Sequence, residues 1–272
     1  MLTRMLLLIT TLMGGLGLLT GAWPSPFLSP QNAESGFVPQ SFPLDADIVG
    51  SGIGAPELLE KALAKLDWKQ VTWLRTKIRQ TMSDPESNFV ADGFLQRGPG
   101  HCAHLELDIN TQGSKARLLV ISDGTTVASV RETPNAKPNV TVHALPAIEN
   151  PAIKHEFLRA LNCDGPSASL KDILAHLRDG KLQTGLLGNR RVIQITGQFE
   201  ADTTRAGGSI PARHCHVYLD AQTLWPCQIE WWGQDEHQRM KAIMRVEYAD
   251  EQINRELPMS ECAKLFSYQP TP

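Results

Sequence analysis

Two short stretches concentrate the side chains that could ligate a metal or move a proton: His101-Cys102-Ala103-His104 and His214-Cys215-His216. In an extended strand, residues two apart share a face. His214 and His216 would then project together, in an arrangement able to bind zinc or copper. The same face would carry Tyr218 and, across a hairpin, Gln228 and Glu230. That polar set reads as solvated, and surface histidines without a metal are the default for it. The five cysteines are Cys102, Cys163, Cys215, Cys227 and Cys262, an odd number. The hydrophobic pattern puts Cys215, Cys227, Ile229 and Trp231 on one face. One hairpin register sets Cys215 opposite Cys227, another makes them diagonal and too distant for an easy bridge, and buried free thiols are the equal alternative. Catalytic patterns are missing: there is no Gly-x-Ser-x-Gly elbow, no His-Glu-x-x-His and no phosphate loop. The expectation is a non-enzymatic protein with no cofactor and no resident metal.

These residues must be positioned by strands. Alternation is clearest over 102–110, where Ala103, Leu105, Leu107 and Ile109 face one way and His104, Glu106, Asp108 and Asn110 the other, the mark of a half-buried antiparallel strand. Similar runs predict strands over 71–82, 88–96, 116–121, 126–131 and 139–144. Asp123-Gly124 makes a hairpin turn. Further strands are predicted over 191–199, 212–219, 227–232 and 239–248, the last aligning Met240, Ala242, Met244, Val246 and Tyr248. Trp231 and Trp232 point one ring to each face, the inner one to the core and the outer one to a contact patch.

Pro56 opens a helix with Leu58, Leu59, Ala62, Leu63 and Leu66 in one stripe. Asn150 and Pro151 begin a second, with Ile153, Phe157, Leu158 and Leu161 together. Ser169 caps a third, with Leu170, Ile173, Leu174 and Leu177 in its stripe and Gly180 as its stop. A short helix over 259–265 and an extended 266–268 finish the chain. Without βαβ units, this order predicts an α+β fold: a large, strongly curved antiparallel sheet with helices packed on one face, whose concave side must be filled by helices or by a ligand.

The 272-residue chain carries a formal charge of −3 and no basic run longer than Arg190-Arg191, which argues against nucleic acid. Residues 1–22 have one cation, an apolar stretch and a Thr20-Gly21-Ala22 step before Trp23. They read as a signal peptide or an N-terminal anchor, since about twenty apolar residues can also span a bilayer. The protein is therefore expected in the periplasm or another extracytoplasmic space, cleaved or held in the inner membrane by residues 5–22. Residues 23–54, rich in proline, serine and glycine, read as a linker, and 55–270 as one domain.

Several motifs occur in an order that resembles the LolA-like periplasmic carriers of outer-membrane lipoproteins. They are Ile78-Arg79-Gln80 in a first strand, Gly93 before Leu95-Gln96-Arg97-Gly98-Pro99, and the hairpin Leu119-Val120-Ile121-Ser122-Asp123-Gly124-Thr125. The helical pair that follows, Leu219-Asp220 with Thr223, and a final Phe266-Ser267-Tyr268 strand before Pro270 fit as well. The resemblance spans 56–270. The family's Trp after the hairpin is Ala128 here, and its Arg-Pro pair is Arg97-Gly98-Pro99. It implies an incomplete barrel around an apolar cavity that holds acyl chains, with Arg97 helping a helical lid stay closed. The residues expected to line that cavity are Leu105, Leu107, Ile109, Ile193, Ile195, Trp231, Met240 and Met244; the competing expectation is that they only pack against the helices. The implied partner is a lipid or a lipoprotein acyl chain. The alternatives are a membrane-tethered structural or sensing envelope module with a self-filled core and a protein partner, and, more remotely, a His-rich metal-binding protein.

Overall fold

The structure, a computed structural model, describes residues 36–43, 53–67, 70–84, 87–111, 113–145, 165–199, 210–235 and 237–268. The predicted leader, the helix expected from Asn150 and Pro151, and Cys163 lie outside the described residues. Twelve strands form one sheet: β1 (Phe37–Pro39), β2 (Leu74–Asp84), β3 (Ser87–Arg97), β4 (Cys102–Thr111), β5 (Lys115–Asp123), β6 (Thr126–Glu132), β7 (Asn139–Ala144), β8 (Leu177–Leu187), β9 (Arg190–Phe199), β10 (His214–Asp220), β11 (Pro226–Gln234) and β12 (Met240–Ile253). Among the described residues three α-helices accompany it: α1 (Ala55–Lys65), α2 (Pro166–His176) and α3 (Met259–Leu265).

The strand order is β1-β8-β9-β10-β11-β12-β2-β3-β4-β5-β6-β7. Every neighbouring pair is antiparallel, from β1 against β8 to β6 against β7. The sheet is open, ending in β1 and β7. Phe37–Pro39, within the stretch whose composition reads as a linker, supplies one of these edges.

Curvature has local causes. Register shifts interrupt the ladders β8–β9, β10–β11, β11–β12 and β12–β2, and such irregularities bend a strand and increase its twist. Two fall beside residues in left-handed conformation, Asp179 (φ 48°) and Asp250 (φ 53°), a residue type that tolerates that region. Gly93 marks a tighter approach. It pairs with Ile78 on one side and Leu107 on the other, and a Cβ there would sit 1.8 Å from the Glu106 carbonyl oxygen. Only glycine lets the β4 backbone come so close.

One face of the sheet, joined by α1 and α2, makes the main core. Leu58, Leu59 and Ala62 of α1 and Leu170 and Ile173 of α2 pack with Leu105, Leu107, Ile193, Ile195, Ile229 and Trp231. Pro56 lies in the first turn of α1, where its missing N–H costs nothing.

Some boundaries differ from expectation. The first long strand begins at Leu74 rather than at 71. α2 ends at His176, and Leu177 opens β8, so Gly180 lies inside a strand and does not stop the helix. A Cβ on Gly180 would fall 2.6 Å from that of Ala55, so its lack of a side chain lets β8 and α1 meet. Phe266 to Tyr268 is not a strand; Phe266 instead receives the C-terminal end of α3 and packs its ring by Gly98 and Trp73.

Candidate functional site

The concave face carries the residues expected to meet an apolar ligand. Leu105, Leu107, Ile109, Ile193, Ile195 and Trp231 are all buried in one continuous cluster, with Met244 packed against it half-buried. They come from β4, β9, β11 and β12, so the cluster joins strands far apart in the sheet order. Met240 does not belong. Trp231 pairs with Met244, but Trp232 pairs with Ala242, leaving Ile243 as an extra residue. The bulge turns Ile243 inward and reverses the alternation beyond it. Met240 therefore pairs with Gln234 on the other face and is 40% exposed.

Arg97 sits at the rim of this face and is 1% exposed. Its Nη2 donates to the carbonyl oxygens of Leu66 (3.4 Å) and Val71 (3.1 Å). Leu66 is the C-cap of α1. A guanidinium there satisfies helix-end carbonyls and complements the negative end of the helix dipole. A second polar tie joins Tyr248 of β12 to Ser169 of α2; burial drives the Tyr248 hydroxyl pKa up, against the pull of that bond.

The opposite face of β9–β12 is not the solvated surface that its polar sequence suggests. Tyr218 and Glu230 are 0% exposed and Gln228 is buried. Glu230 is the centre. Arg245 donates to its Oε1 through Nε (2.8 Å) and Nη2 (2.7 Å), and Gln228 Nε2 donates to Oε1 (2.9 Å). Trp232 Nε1 donates to Oε2 (3.1 Å), and the Tyr218 hydroxyl donates to it at 3.4 Å. Nδ1 of His216 stands 3.4 Å from Oε2. Gln194 Nε2 extends the network to the Tyr218 oxygen (3.0 Å). Burial alone would raise the Glu230 carboxyl; the His216 hydrogen bond, the Arg245 charge and the Trp232 N–H together hold it below the ordinary carboxylate value. Glu247, next along β12, goes the other way, because burial dominates over Arg245 and Arg79. The ionic pattern continues across the sheet as Arg79–Asp92 (2.8 Å) and Glu106–Arg117 (2.6 Å).

The two histidine stretches have separate roles. His104 donates from Nδ1 to the Leu265 carbonyl (2.7 Å) and stacks on Phe94, anchoring α3 to the outer face. His214 and His216 do share one face, as alternation requires, and line a groove of about 290 Å³ with Asp179, Lys181, Thr196, Gly197 and Gln198. Burial, then the proximity of His216, lowers the His214 pKa. Cys215 lies opposite Trp231, not Cys227. The irregularity between Tyr218 and Leu219 places Cys227 with Tyr218, Val192 and Phe37 in a small outer cluster. The two thiols thus occupy different faces, each pushed up to about 12 by burial. They were expected on one face; the bulge separates them.

The Glu230 network and the β8 side of the groove were missed in the sequence. The outward positions Gln194, Thr196 and Gln198 were readable from alternation in β9. Their neighbours on β8 were not, because β8 itself was unrecognised.

No family model matches the chain, and no curated protein matches it. Among solved structures it is similar to a DUF1329 family protein from Desulfovibrio piger, at 6% identity and TM-score 0.30, over 78% of this chain and 100% of that one. It is similar also to a putative outer membrane lipoprotein-sorting protein domain from Vibrio parahaemolyticus, at 10% identity and TM-score 0.28, over 76% and 95%. A LolA superfamily protein from Nitrosomonas europaea aligns at 12% identity and TM-score 0.30, over 80% and 99%. The family that the sequence resembles is represented among these structures, at TM-scores too low for the superpositions to carry a conclusion about this chain.

Proposed function

We propose that this chain is an exported, non-enzymatic binding protein of the cell envelope that holds an apolar chain, from a lipid or a lipoprotein, between the concave sheet face and the helices α1 and α2. The observation that carries this reading is the construction of the cover. A wide aliphatic face, with Leu105, Leu107, Ile109, Ile193, Ile195, Trp231 and Met244, lies under two eleven-residue helices, and α1 is held at its end by Arg97.

The exchange is energetically reasonable. Each buried methylene contributes about 0.8 kcal/mol, so a chain of about sixteen carbons would contribute on the order of 12 kcal/mol. Lifting α1 exposes chiefly Leu58 and Leu59, at about 1.5–3 kcal/mol each. A ligand chain replacing these side chains therefore offsets their loss. Arg97 acts as the latch that must yield when α1 moves.

A tethered structural or sensing module is the second reading. It is favoured by the near-complete burial of Leu105, Ile193 and Ile195 against the protein's own side chains. Lipid extraction and native mass spectrometry of protein purified from an envelope fraction separate the two, together with uptake of a fluorescent fatty acid. The carrier should co-purify with lipid, and Arg97→Met should take up the probe faster. No lipid and no uptake by either form would leave the self-filled module. A mature N-terminus at Trp23 would support a diffusing carrier; retention of residues 1–22 would support a tether.

A further inference from the structure

The groove containing His214 and His216 lies on the face opposite the apolar core, and nothing in the acyl-chain reading uses it. Two imidazoles at i and i+2 of β10 line it. Behind one of them stands a carboxylate with no exposure: Nδ1 of His216 is 3.4 Å from Glu230 Oε2. Arg245 and Trp232 in turn fix that carboxylate. A hydrogen bond at Nδ1 commits the proton to that nitrogen and leaves Nε2 as a lone-pair donor. Orientation of a ligating histidine by a carboxylate is the usual outer support of a metal site.

We propose that this groove binds an exchangeable divalent d-block cation, copper(II) foremost, through Nε2 of His216 and an imidazole nitrogen of His214. Imidazole donors suit copper and zinc, and copper(II) leads the divalent affinity order. Among the described residues no group of three or more His, Cys, Asp or Glu side chains is placed to hold a metal ion, so Asp179 is not a third ligand and the site rests on the two imidazoles. Two protein ligands leave the remaining positions to water or a small solute donor, which makes the site exchangeable. Asp179 on the groove wall favours a cation and Lys181 opposes it. Lys181 faces Thr196, which faces His216, so the opposing charge is one strand removed from the ligand.

The same groove could be read as an anion site, with Lys181 as its principal charge. The two readings assign Lys181 opposite effects, and Trp232 provides the reporter, with its ring 5.1 Å from that of His216. The test titrates the full-length protein with copper(II) chloride, zinc chloride and, separately, sodium phosphate while following tryptophan fluorescence. Copper should quench saturably at one equivalent, zinc should compete, and Trp232→Phe should remove most of the change among the six tryptophans. His214→Ala, which leaves the His216–Glu230 contact in place, should weaken binding by about tenfold or more. His214→Ala/His216→Ala should abolish it, with circular dichroism checking the fold. Lys181→Ala should tighten copper binding. Quenching that persists in His214→Ala at unchanged affinity, copper binding that weakens in Lys181→Ala, or saturable binding of phosphate but not copper would overturn the assignment.

Discussion

Across β9, β10 and β11 alternate residues of the same strands build two interiors of opposite kind. On the concave side the rows run Ile195–Val217–Ile229 and Gly197–Cys215–Trp231. On the outer side they run Gln194–Tyr218–Gln228 and Thr196–His216–Glu230. Both Ile195 and Glu230 are fully excluded from solvent. The first interior is held by shape and transfer free energy, which are non-directional. The second is held by directional bonds, where every member must be satisfied. An interior of the first kind tolerates apolar side chains of similar volume in place of one another. The outer network does not tolerate the loss of one partner alone, and it holds His216 beside Glu230. Adaptability and preorganisation thus lie back to back on one set of strands.

The largest test concerns the close approach of β3 and β4 at Gly93, within the sheet that carries both faces. Gly93→Val places a side chain against the Glu106 carbonyl, and loss of about 4 kcal/mol or more, or failure to fold, is expected in denaturant unfolding. A loss below about 1 kcal/mol would mean that the close approach is not needed for the sheet.

Next, Glu230→Ala leaves Arg245 half-enclosed without its carboxylate and should cost about 3–5 kcal/mol. Replacing both, Glu230→Met with Arg245→Met, should recover much of that loss. If the single change is neutral, the outer face is ordinary surface and the contrast fails.

Acid should act on the outer interior first. The Glu230 carboxyl is held below its usual value in the folded protein. Its contribution is therefore present above the unfolded carboxylate pKa of about 4.3 and lost as pH falls through the lower folded value. Glu247, shifted upward, opposes this by favouring the folded state as it protonates. Unfolding midpoints should fall in acid for the native protein and less steeply for Glu230→Gln; identical slopes would remove Glu230 from the acid response.

The smallest effect sharpens the face assignment itself. Met240→Lys should change stability by no more than about 0.5 kcal/mol, whereas Met244→Lys should cost several times that. Equal costs would mean that the bulge at Trp231 and Trp232 does not reverse the faces.

Much of this was legible in the chain alone. The alternation over 102–110 assigns Leu105, Leu107 and Ile109 to one face, and pairing confirms it, because a period of two records facing directly. The α1 stripe, the helix Met259–Leu265 and the α+β antiparallel class follow from similarly local signals. β8 was hidden by its composition: Leu177–Leu187 mixes charges with two glycines, and on the side away from β9 it borders a three-residue edge strand. Tertiary structure alone decided the rest. A bulge depends on which strand lies alongside, so the fates of Met240 and Cys227 could not be read from their own neighbours. Nor could the burial of Glu230. A polar residue leaves water only when partners from other segments replace its hydrogen bonds, and His216, Gln228, Trp232 and Arg245 meet around it only after three strands have paired.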